Sequence, residues 1–317
     1  MGSLVGIHGE SGSGKTSFLG SVCKWVSEEY PGKICRWVGS DNYEGLEPFI
    51  DAGLLEAWDI TGAEHPFETI NYACRGYWPK NPAEYPWDLI KPTRELFSNV
   101  AFIFFEGGTE MADMMMHRLA EIGGEGTYIG PGTRVNTKKE EADLISFMDG
   151  DLGVGGNSRT HYNIVQKEMR SNIKNSGALP CPAIWTFKTV RAVEDSIPIF
   201  GPQLTGKAAT AKIQGWFSSL IHAHTRIEKN KELFQLYLKQ HIDTQCGTIP
   251  FKAVQRIPLP LLDPKIRLMI EKEWDKVCPD FIDWTNDADG ARKYIEIRTK
   301  LREAAANILK KGATKNG

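Results

Sequence analysis

Short apolar runs alternate along the chain with amphipathic stretches, and glycine- or proline-containing turns separate them. Apolar runs at 4–7, 34–38, 99–105 and 183–189 predict strands. The third run is apolar nearly throughout, as a central parallel strand should be. Two later runs, at 219–224 and 233–239, also predict strands. The pattern as a whole indicates an α/β protein with a mostly parallel central sheet flanked by helices.

Helical periodicity is clearest just after the first strand and near the C-terminus. The first predicted helix has one apolar face, made of Phe18, Leu19, Val22, Cys23 and Val26. It ends at Tyr30-Pro31-Gly32. A second helix is predicted at 46–55. Asp263 and Pro264 predict the start of an amphipathic helix. Its predicted inward residues are Ile266, Met269, Ile270 and Val277.

A glycine-rich loop joins the first strand to the first helix and fits the pattern G-x-x-x-x-G-K-[ST]. Its glycines let consecutive N–H groups converge on anionic oxygens, and the helix adds its positive N-terminal end. Lys15 reaches the β and γ phosphates of a triphosphate, and the hydroxyl of Thr16 ligates Mg²⁺. An ordinary glycine-rich turn is the alternative, but the order of strand, loop and helix favours a loop that binds ATP. The predicted nucleotide-binding residues are Gly9, Glu10, Ser11, Gly12, Ser13, Gly14, Lys15, Thr16 and Ser17.

Acidic and polar residues follow the predicted strands at the edge where an α/β sheet binds ligands. Asp41 and Glu44 come after the second strand, where a carboxylate could activate water; a turn that caps the next helix is the alternative. Glu106 ends the third strand, at the place of the magnesium-binding acid that is usually Asp. The alternative is a polar strand end without a metal. Thr186 to Thr189 end the fourth strand and could sense the γ-phosphate or be solvated.

The composition narrows the class of protein. The 317 residues carry a formal net charge of −2, so no overall basic field draws the chain to nucleic acid or a membrane. Six scattered cysteines without a C-x-x-C pair disfavour zinc and fit a reducing cytosol. No apolar run is long enough for a bilayer. The aromatic stretch from Tyr77 to Trp87 could stack bases, but an irregular loop pinned to the core is favoured.

With these features in this order, the chain resembles a RecA-like ATPase core and is most similar to phage-encoded RecA-like recombination ATPases. The resemblance spans about residues 1–260, with an insert at about 123–180, before a C-terminal helical extension with a basic tail at 261–317. Only the glycine-rich loop is a specific motif. The other local matches are Phe102 to Glu106, Thr186 to Thr189, Leu204 to Lys207, Ile213 to Phe217, and Phe251 to Arg256.

The resemblance implies roles for particular residues. Lys15 and Thr16 bind phosphate and Mg²⁺, and Glu106 takes the metal-binding place on its strand. The catalytic glutamate of the family maps to the turn that contains Asp41 and Glu44. Two cations that reach the ATP of a neighbouring subunit resemble Lys252 and Arg256, although their spacing is wider than usual. The implied assembly is a hexamer-like ring or a filament, which acts on single-stranded DNA in the cytoplasm of a host cell.

The candidate DNA-binding loops and the tail differ in charge. Residues 134–174 carry seven Lys or Arg against six Asp or Glu, so a mobile loop or subunit contact is as good an interpretation there as a DNA loop. Residues 190–207 are a second candidate. Residues 292–317 carry eight basic and two acidic residues. They include an apolar helical stripe, which could dock on a neighbouring subunit, but packing on its own domain is favoured. The alternative is that three lysines of this segment touch phosphates. The stripe is Tyr294, Ile297, Leu301, Ala304 and Ile308, and the lysines are Lys310, Lys311 and Lys315.

Two other functions stay open. One is a P-loop kinase for a small molecule, with residues 60–98 as its substrate pocket, although the arginine-rich lid of such kinases is not evident. The other is a nucleotide-binding assembly or switch protein with little hydrolysis, because Glu106 stands where Asp is usual.

Overall fold

The computed structural model describes most of the chain, with gaps. The described residues are 3–41, 43–81, 88–122, 159–194, 197–204, 212–228, 231–239, 247–248, 264–284 and 288–315. The predicted residues Lys252 and Arg256 lie outside them, as does most of the insert.

Twelve strands are present within the described ranges. They are β1 (Leu4–Gly9), β2 (Ile34–Gly39), β3 (Leu55–Asp59), β4 (Trp78–Pro79), β5 (Leu89–Ile90), β6 (Val100–Glu106), β7 (Ala183–Glu194), β8 (Ile197–Pro202), β9 (Ser219–Glu228), β10 (Lys231–Tyr237), β11 (Gly247–Thr248) and β12 (Phe281–Trp284). The strands predicted from the apolar runs are confirmed. β3, β4, β5, β8, β11 and β12 were not predicted, and β7 continues to Glu194, past the predicted end of that strand at Thr189.

The main sheet has the order β12-β10-β9-β1-β7-β6-β2-β3, with β11 paired to β9 and β8 paired to β7. The five successive pairs from β9 to β3 are parallel, and the other pairs are antiparallel. The prediction of a mostly parallel α/β sheet is therefore confirmed. Because β7 lies between β1 and β6, the carboxyl ends of β1, β7, β6 and β2 meet along one edge.

Helices cover both faces of the sheet. They are α1 (Lys15–Glu29), α2 (Glu47–Asp51), α3 (Pro66–Cys74), α4 (Gly108–Ile122), α5 (Arg159–Ser176), α6 (Pro264–Val277) and α7 (Asp289–Lys315), with 3₁₀ turns at Glu44–Leu46 and Ile213–Trp216. One core cluster joins the sheet to α3, α4 and α5, and the other joins it to α1, α6 and α7. α1 buries its predicted apolar face completely. Each large aliphatic or aromatic residue of that face contributes about 1.5–3 kcal/mol of burial energy.

The helix predicted at 46–55 is too long. Gly53 has φ +68°, a left-handed conformation that ends the helical segment. Residues beyond it instead extend as β3, whose Leu55 pairs with Cys35 of β2. The apolar residues at the end of the predicted helix therefore belong to a strand.

The aromatic stretch after α3 is attached to the core. Trp78 is only 5% exposed and packs edge-on against Trp58, with ring centroids 5.9 Å apart. The guanidinium of Arg36 lies 4.5 Å from the centroid of the Trp78 ring. The predicted attachment to the core is confirmed for Trp78, but Trp78 and Pro79 form β4, paired with β5, and not an irregular loop. Residues 82–87, which include Trp87, lie outside the described ranges.

The C-terminal helices pack on the face that carries α1. Ser21 Oγ accepts a 3.0 Å hydrogen bond from the N–H of Ala291, and Arg292 forms a 2.6 Å ion pair with Glu28. The stripe of α7 turns inward, with Tyr294 and Leu301 buried. The favoured interpretation, packing on its own domain, is therefore confirmed for this stripe. Lys310, Lys311 and Lys315 belong to the end of α7, where only the backbone is described.

The prediction that Met269 of α6 lies in the core is wrong. Met269 is 53% exposed, whereas Ile270 is buried. Ile270 and Trp274, four residues apart, define the buried face of the helix, and Met269 lies one position off that face. Among the described helices, none combines the length and the apolar composition that crossing a bilayer requires.

Candidate nucleotide-binding site

The glycine-rich loop lies between the last residue of β1 and the first residue of α1. Gly12 and Gly14 adopt φ values of +77° and +83°. Gly14 is the N-cap residue of α1, and its carbonyl accepts a 2.9 Å hydrogen bond from the N–H of Phe18. A further bond of 3.1 Å, from the N–H of Ser13 to the carbonyl of Glu10, closes the turn. The backbone thus bends as the motif requires, and the amide end of α1 faces the loop.

The two left-handed glycines differ in their surroundings, which gives a matched test. A Cβ at Gly14 would lie 2.5 Å from Cδ1 of Phe234, whereas a Cβ at Gly12 would meet nothing within 4 Å. Gly12→Ala should therefore cost only the left-handed backbone, about 1–2 kcal/mol. Gly14→Ala adds overpacking and should cost about 2–5 kcal/mol in total. Denaturant unfolding of both variants measures this; equal losses would contradict the clash with Phe234.

Lys15 begins α1 and turns its amine back onto the loop. Its Nζ donates to the carbonyls of Gly9, at 2.9 Å, and Glu10, at 2.8 Å. Burial lowers the pKa of Lys15, and the negative charges of Glu106, Asp41 and others oppose that effect. The amine is therefore held over the loop by neutral acceptors and by nearby carboxylates.

Thr16 and Glu106 are brought together from α1 and β6. The hydroxyl of Thr16 donates to Oε1 of Glu106 at 2.5 Å, and the indole Nε1 of Trp37 donates to Oε2 at 2.6 Å. Burial raises the pKa of Glu106, which is 1% exposed, and the two hydrogen bonds oppose this rise because they favour the carboxylate. The sequence predicted Thr16 and Glu106 at one metal site, and the part of Trp37 was missed.

Hydroxyl and carboxylate oxygens are ligands that Mg²⁺ accepts, and Mg²⁺ is usually held by one or two carboxylates together with phosphate oxygens. Thr16 and Glu106 fit that donor set. Within the described ranges, no group of three or more His, Cys, Asp or Glu side chains is placed to hold a metal ion. The remaining ligands at this position would therefore come from phosphate and water.

The turn after β2 brings Asp41 towards the same place. The charge of Asp41 raises the pKa of Lys15, of Glu106 and of Lys188, so it lies within electrostatic range of all three. Glu44 begins the 3₁₀ turn and is exposed. The neighbouring Gly45 is close to Thr16, since a Cβ there would lie 3.8 Å from the Thr16 methyl. Both acidic residues thus follow β2 at the edge that carries the loop.

The polar segment of β7, from Thr186 to Thr189, lies where the strand leaves its pairing with β1 and begins its pairing with β8. Thr186 Oγ1 accepts a 3.1 Å hydrogen bond from the N–H of Gly107, and Thr189 Oγ1 bonds to Nδ1 of His8 at 2.9 Å. Lys188 forms an ion pair with Glu110 of α4, and this contact raises its pKa. Its charge also acts on Lys15. Lys188, half exposed, is therefore the residue of this polar segment whose charge acts on the loop.

β9 supports the other side of the loop. The hydroxyl of Thr225 donates to the carbonyl of Gly12 at 2.8 Å. A cavity of about 320 Å³ lies between residues 10–13 of the loop and residues 222–225 of β9, with Phe200 at its side. The imidazole of His222 in this wall stacks on that of His8, with centroids 4.8 Å apart. Thr225 was not predicted, because nothing local to its sequence marks a contact with residue 12.

Most of the predicted binding residues are thus gathered at one edge of the sheet. Ser11 and Ser17 are exposed on the loop and the first turn of α1, and Ser13 is buried beneath the loop. The chain matches no protein-family model and no curated protein.

Proposed function

We propose that this chain is a RecA-like P-loop ATPase that binds ATP with Mg²⁺, hydrolyses it, and works as an oligomer on DNA in phage-type recombination or replication. The observation that carries the proposal is the contact of Thr16 with Glu106. It joins the start of the helix after the glycine-rich loop to a carboxylate on β6, beside Lys15.

The groups around the loop have separate tasks in this proposal. The N–H groups at the start of α1 hold phosphate oxygens. The amine of Lys15, which now bonds to two carbonyls of the loop, turns to the β and γ phosphates. Thr16 and Glu106 would hold Mg²⁺, which would neutralise charge on the phosphates. Ser17, exposed one residue further along the helix, completes the phosphate-binding turn.

Asp41 is the preferred carboxylate for orienting the attacking water. It interacts electrostatically with Lys15 and Lys188, the cations that would face the γ-phosphate. Lys188 itself stabilises negative charge on the transferring group in this proposal. Glu44, at the start of the next turn, is the alternative base.

The RecA-like assignment is supported by the order of these features. Glycine-rich loop, acidic turn, Glu106 strand and polar strand end follow one another along the chain, and the strand ends lie at one edge of the sheet. Oligomerisation and the trans-acting roles of Lys252 and Arg256 rest on the resemblance alone, since both residues lie outside the described ranges.

The proposal is tested by measuring phosphate release and particle size together, with ATP and Mg²⁺, with and without single-stranded DNA. We expect hydrolysis that DNA stimulates and an oligomer that ATP stabilises. In the same assay, Asp41→Asn should abolish hydrolysis while Glu44→Gln retains it; the reverse pattern would make Glu44 the base.

Other outcomes would replace parts of the proposal. Hydrolysis that is indifferent to DNA would remove the nucleic-acid role. A monomer that phosphorylates a nucleoside would indicate a kinase. Tight ATP binding without phosphate release would indicate an assembly or switch protein.

A further inference from the structure

Glu106 is held at both carboxylate oxygens, by donors from two different elements. Thr16 of α1 donates to Oε1 at 2.5 Å, and Trp37 of β2 donates to Oε2 at 2.6 Å. Glu106 is 1% exposed and Trp37 is fully buried, so water does not compete for the contact between them. The two bonds fix the plane and the direction of the carboxylate.

Trp37 is itself held rigidly. Its ring lies against Gly39, where a Cβ would be 2.6 Å from Cε2 of the indole, so only glycine leaves room for the ring. Tyr43 packs edge-on against the indole, with centroids 5.1 Å apart. Because Tyr43 lies in the turn between Asp41 and Glu44, the indole connects Glu106 to the acidic turn.

We infer that Trp37 is a positioning residue, which holds Oε2 of Glu106 so that Oε1 is presented to Thr16 and to the metal of the nucleotide. A glutamate has one more methylene, and one more rotatable bond, than the aspartate usual at this position. The indole N–H removes that freedom, as partners behind metal ligands do elsewhere. This inference rests on the proposed function, because it assumes that Glu106 serves Mg²⁺ in nucleotide binding.

The first test compares ATP affinity with Mg²⁺ and with EDTA in the variant Trp37→Phe. Loss of a partner behind a metal ligand typically lowers metal affinity about 10- to 100-fold. The Mg²⁺ effect is the ratio of the ATP affinity in Mg²⁺ to the ATP affinity in EDTA. We therefore expect the Mg²⁺ effect to fall by about that factor in Trp37→Phe, while the affinity in EDTA stays at the wild-type value. An unchanged Mg²⁺ effect in a folded Trp37→Phe protein would overturn the inference.

Trp185→Phe is the matched control. Trp185 lies on β7, the strand next to β6, and is also fully buried. Its Nε1 donates to Ser176 Oγ of α5 at 2.8 Å. Both variants lose one buried indole donor, but only Trp37 contacts Glu106. Trp185→Phe should leave the Mg²⁺ effect unchanged.

A double variant separates positioning from a general structural effect. If Trp37 acts through Glu106, adding Trp37→Phe to Glu106→Gln should produce no further loss of the Mg²⁺ effect. Independent losses would show that Trp37 acts by another route. The double variant therefore tests the connection rather than the importance of either residue.

A third variant retains Trp37, should Trp37→Phe not fold. Glu106→Asp has a shorter side chain, which cannot accept from both Thr16 and Trp37. The Mg²⁺ effect should therefore fall, although Asp is the usual residue at this position. A wild-type or stronger Mg²⁺ effect in Glu106→Asp would overturn the inference. If the wild-type protein bound no ATP at all, the proposed function would fail instead, so the two failures are distinguishable.

Discussion

Replacing Lys15 with alanine should weaken ATP binding about 100-fold. The amine has no anionic partner at hydrogen-bond distance on the loop, where it bonds to the carbonyls of Gly9 and Glu10. Phosphate oxygens are stronger acceptors, because both partners are then charged. A loss of roughly 3 kcal/mol, the upper end for hydrogen bonds to charged groups, corresponds to about two orders of magnitude in affinity.

The same substitution should not destabilise the protein without nucleotide. Burial lowers the pKa of Lys15, so the folded state disfavours its charge relative to water. Removing the amine should leave the free energy of unfolding unchanged or raise it.

Thermal or denaturant unfolding with and without ATP measures both effects. At an ATP concentration 100 times the wild-type Kd, ATP should stabilise the wild-type protein by about 2.7 kcal/mol. For Lys15→Ala, the same concentration should give only about 0.4 kcal/mol. Lys24→Ala is the control, since Lys24 is also half-buried on α1 but lies more than two helical turns further along. Full ATP stabilisation of Lys15→Ala would contradict the assignment of the loop.

The conformation of the glycine-rich loop could be predicted because everything it needs is contiguous. The backbone conformation of Gly12 and Gly14, the start of α1 and the position of Lys15 all follow from one run of residues. The strands could be predicted for a similar reason, since runs such as 100–105 are mostly buried and carry an unbroken apolar signal.

The contact of Trp37 with Glu106 could not be predicted, because it depends on the register between strands. Gly39 of β2 pairs with Glu106 of β6, which brings Trp37 alongside the carboxylate. No local pattern states that pairing. A usable signal was present, however: Trp37 precedes Gly39 by two residues in a strand, and a glycine at that spacing leaves room for a large ring to fold over it.

Lys188 of β7 was predicted only as part of a polar stretch. The sequence gives no reason to separate Lys188 from Thr186 and Thr189. Their separation comes from the fold: Thr186 bonds to Gly107 and Thr189 to His8, whereas Lys188 pairs with Glu110 of α4. The residue that faces the site is thus decided by contacts 78 to 181 residues away in sequence.

Lys15 and Glu106 share a physical property that links them to function. Burial shifts the pKa of each against its charged form, downwards for the lysine and upwards for the glutamate. Each also lies near opposite charge, which only partly offsets that cost. Charged groups that a fold buries against their own solvation are typical of functional sites rather than of stabilising ion pairs.

Glu106→Gln is therefore expected to reduce ATP hydrolysis about 100- to 1,000-fold, the range seen when one group that stabilises transition-state charge is removed. Glutamine keeps the length of the side chain and an oxygen that can accept from Trp37, but it lacks the negative charge that holds Mg²⁺. Because burial opposes ionisation of Glu106, the free energy of unfolding should be unchanged or higher than that of the wild type.

Phosphate release, ATP affinity in EDTA and unfolding measured on the same preparation separate these effects. Glu29→Gln, at the exposed end of α1, is the control for loss of one negative charge away from the site. Retained ATP affinity with lost hydrolysis would exclude a protein that only binds nucleotide, because the wild-type activity must then pass through Glu106. Wild-type hydrolysis in Glu106→Gln would instead show that the strand end holds no essential metal, and that Thr16 meets a carboxylate with a purely structural role.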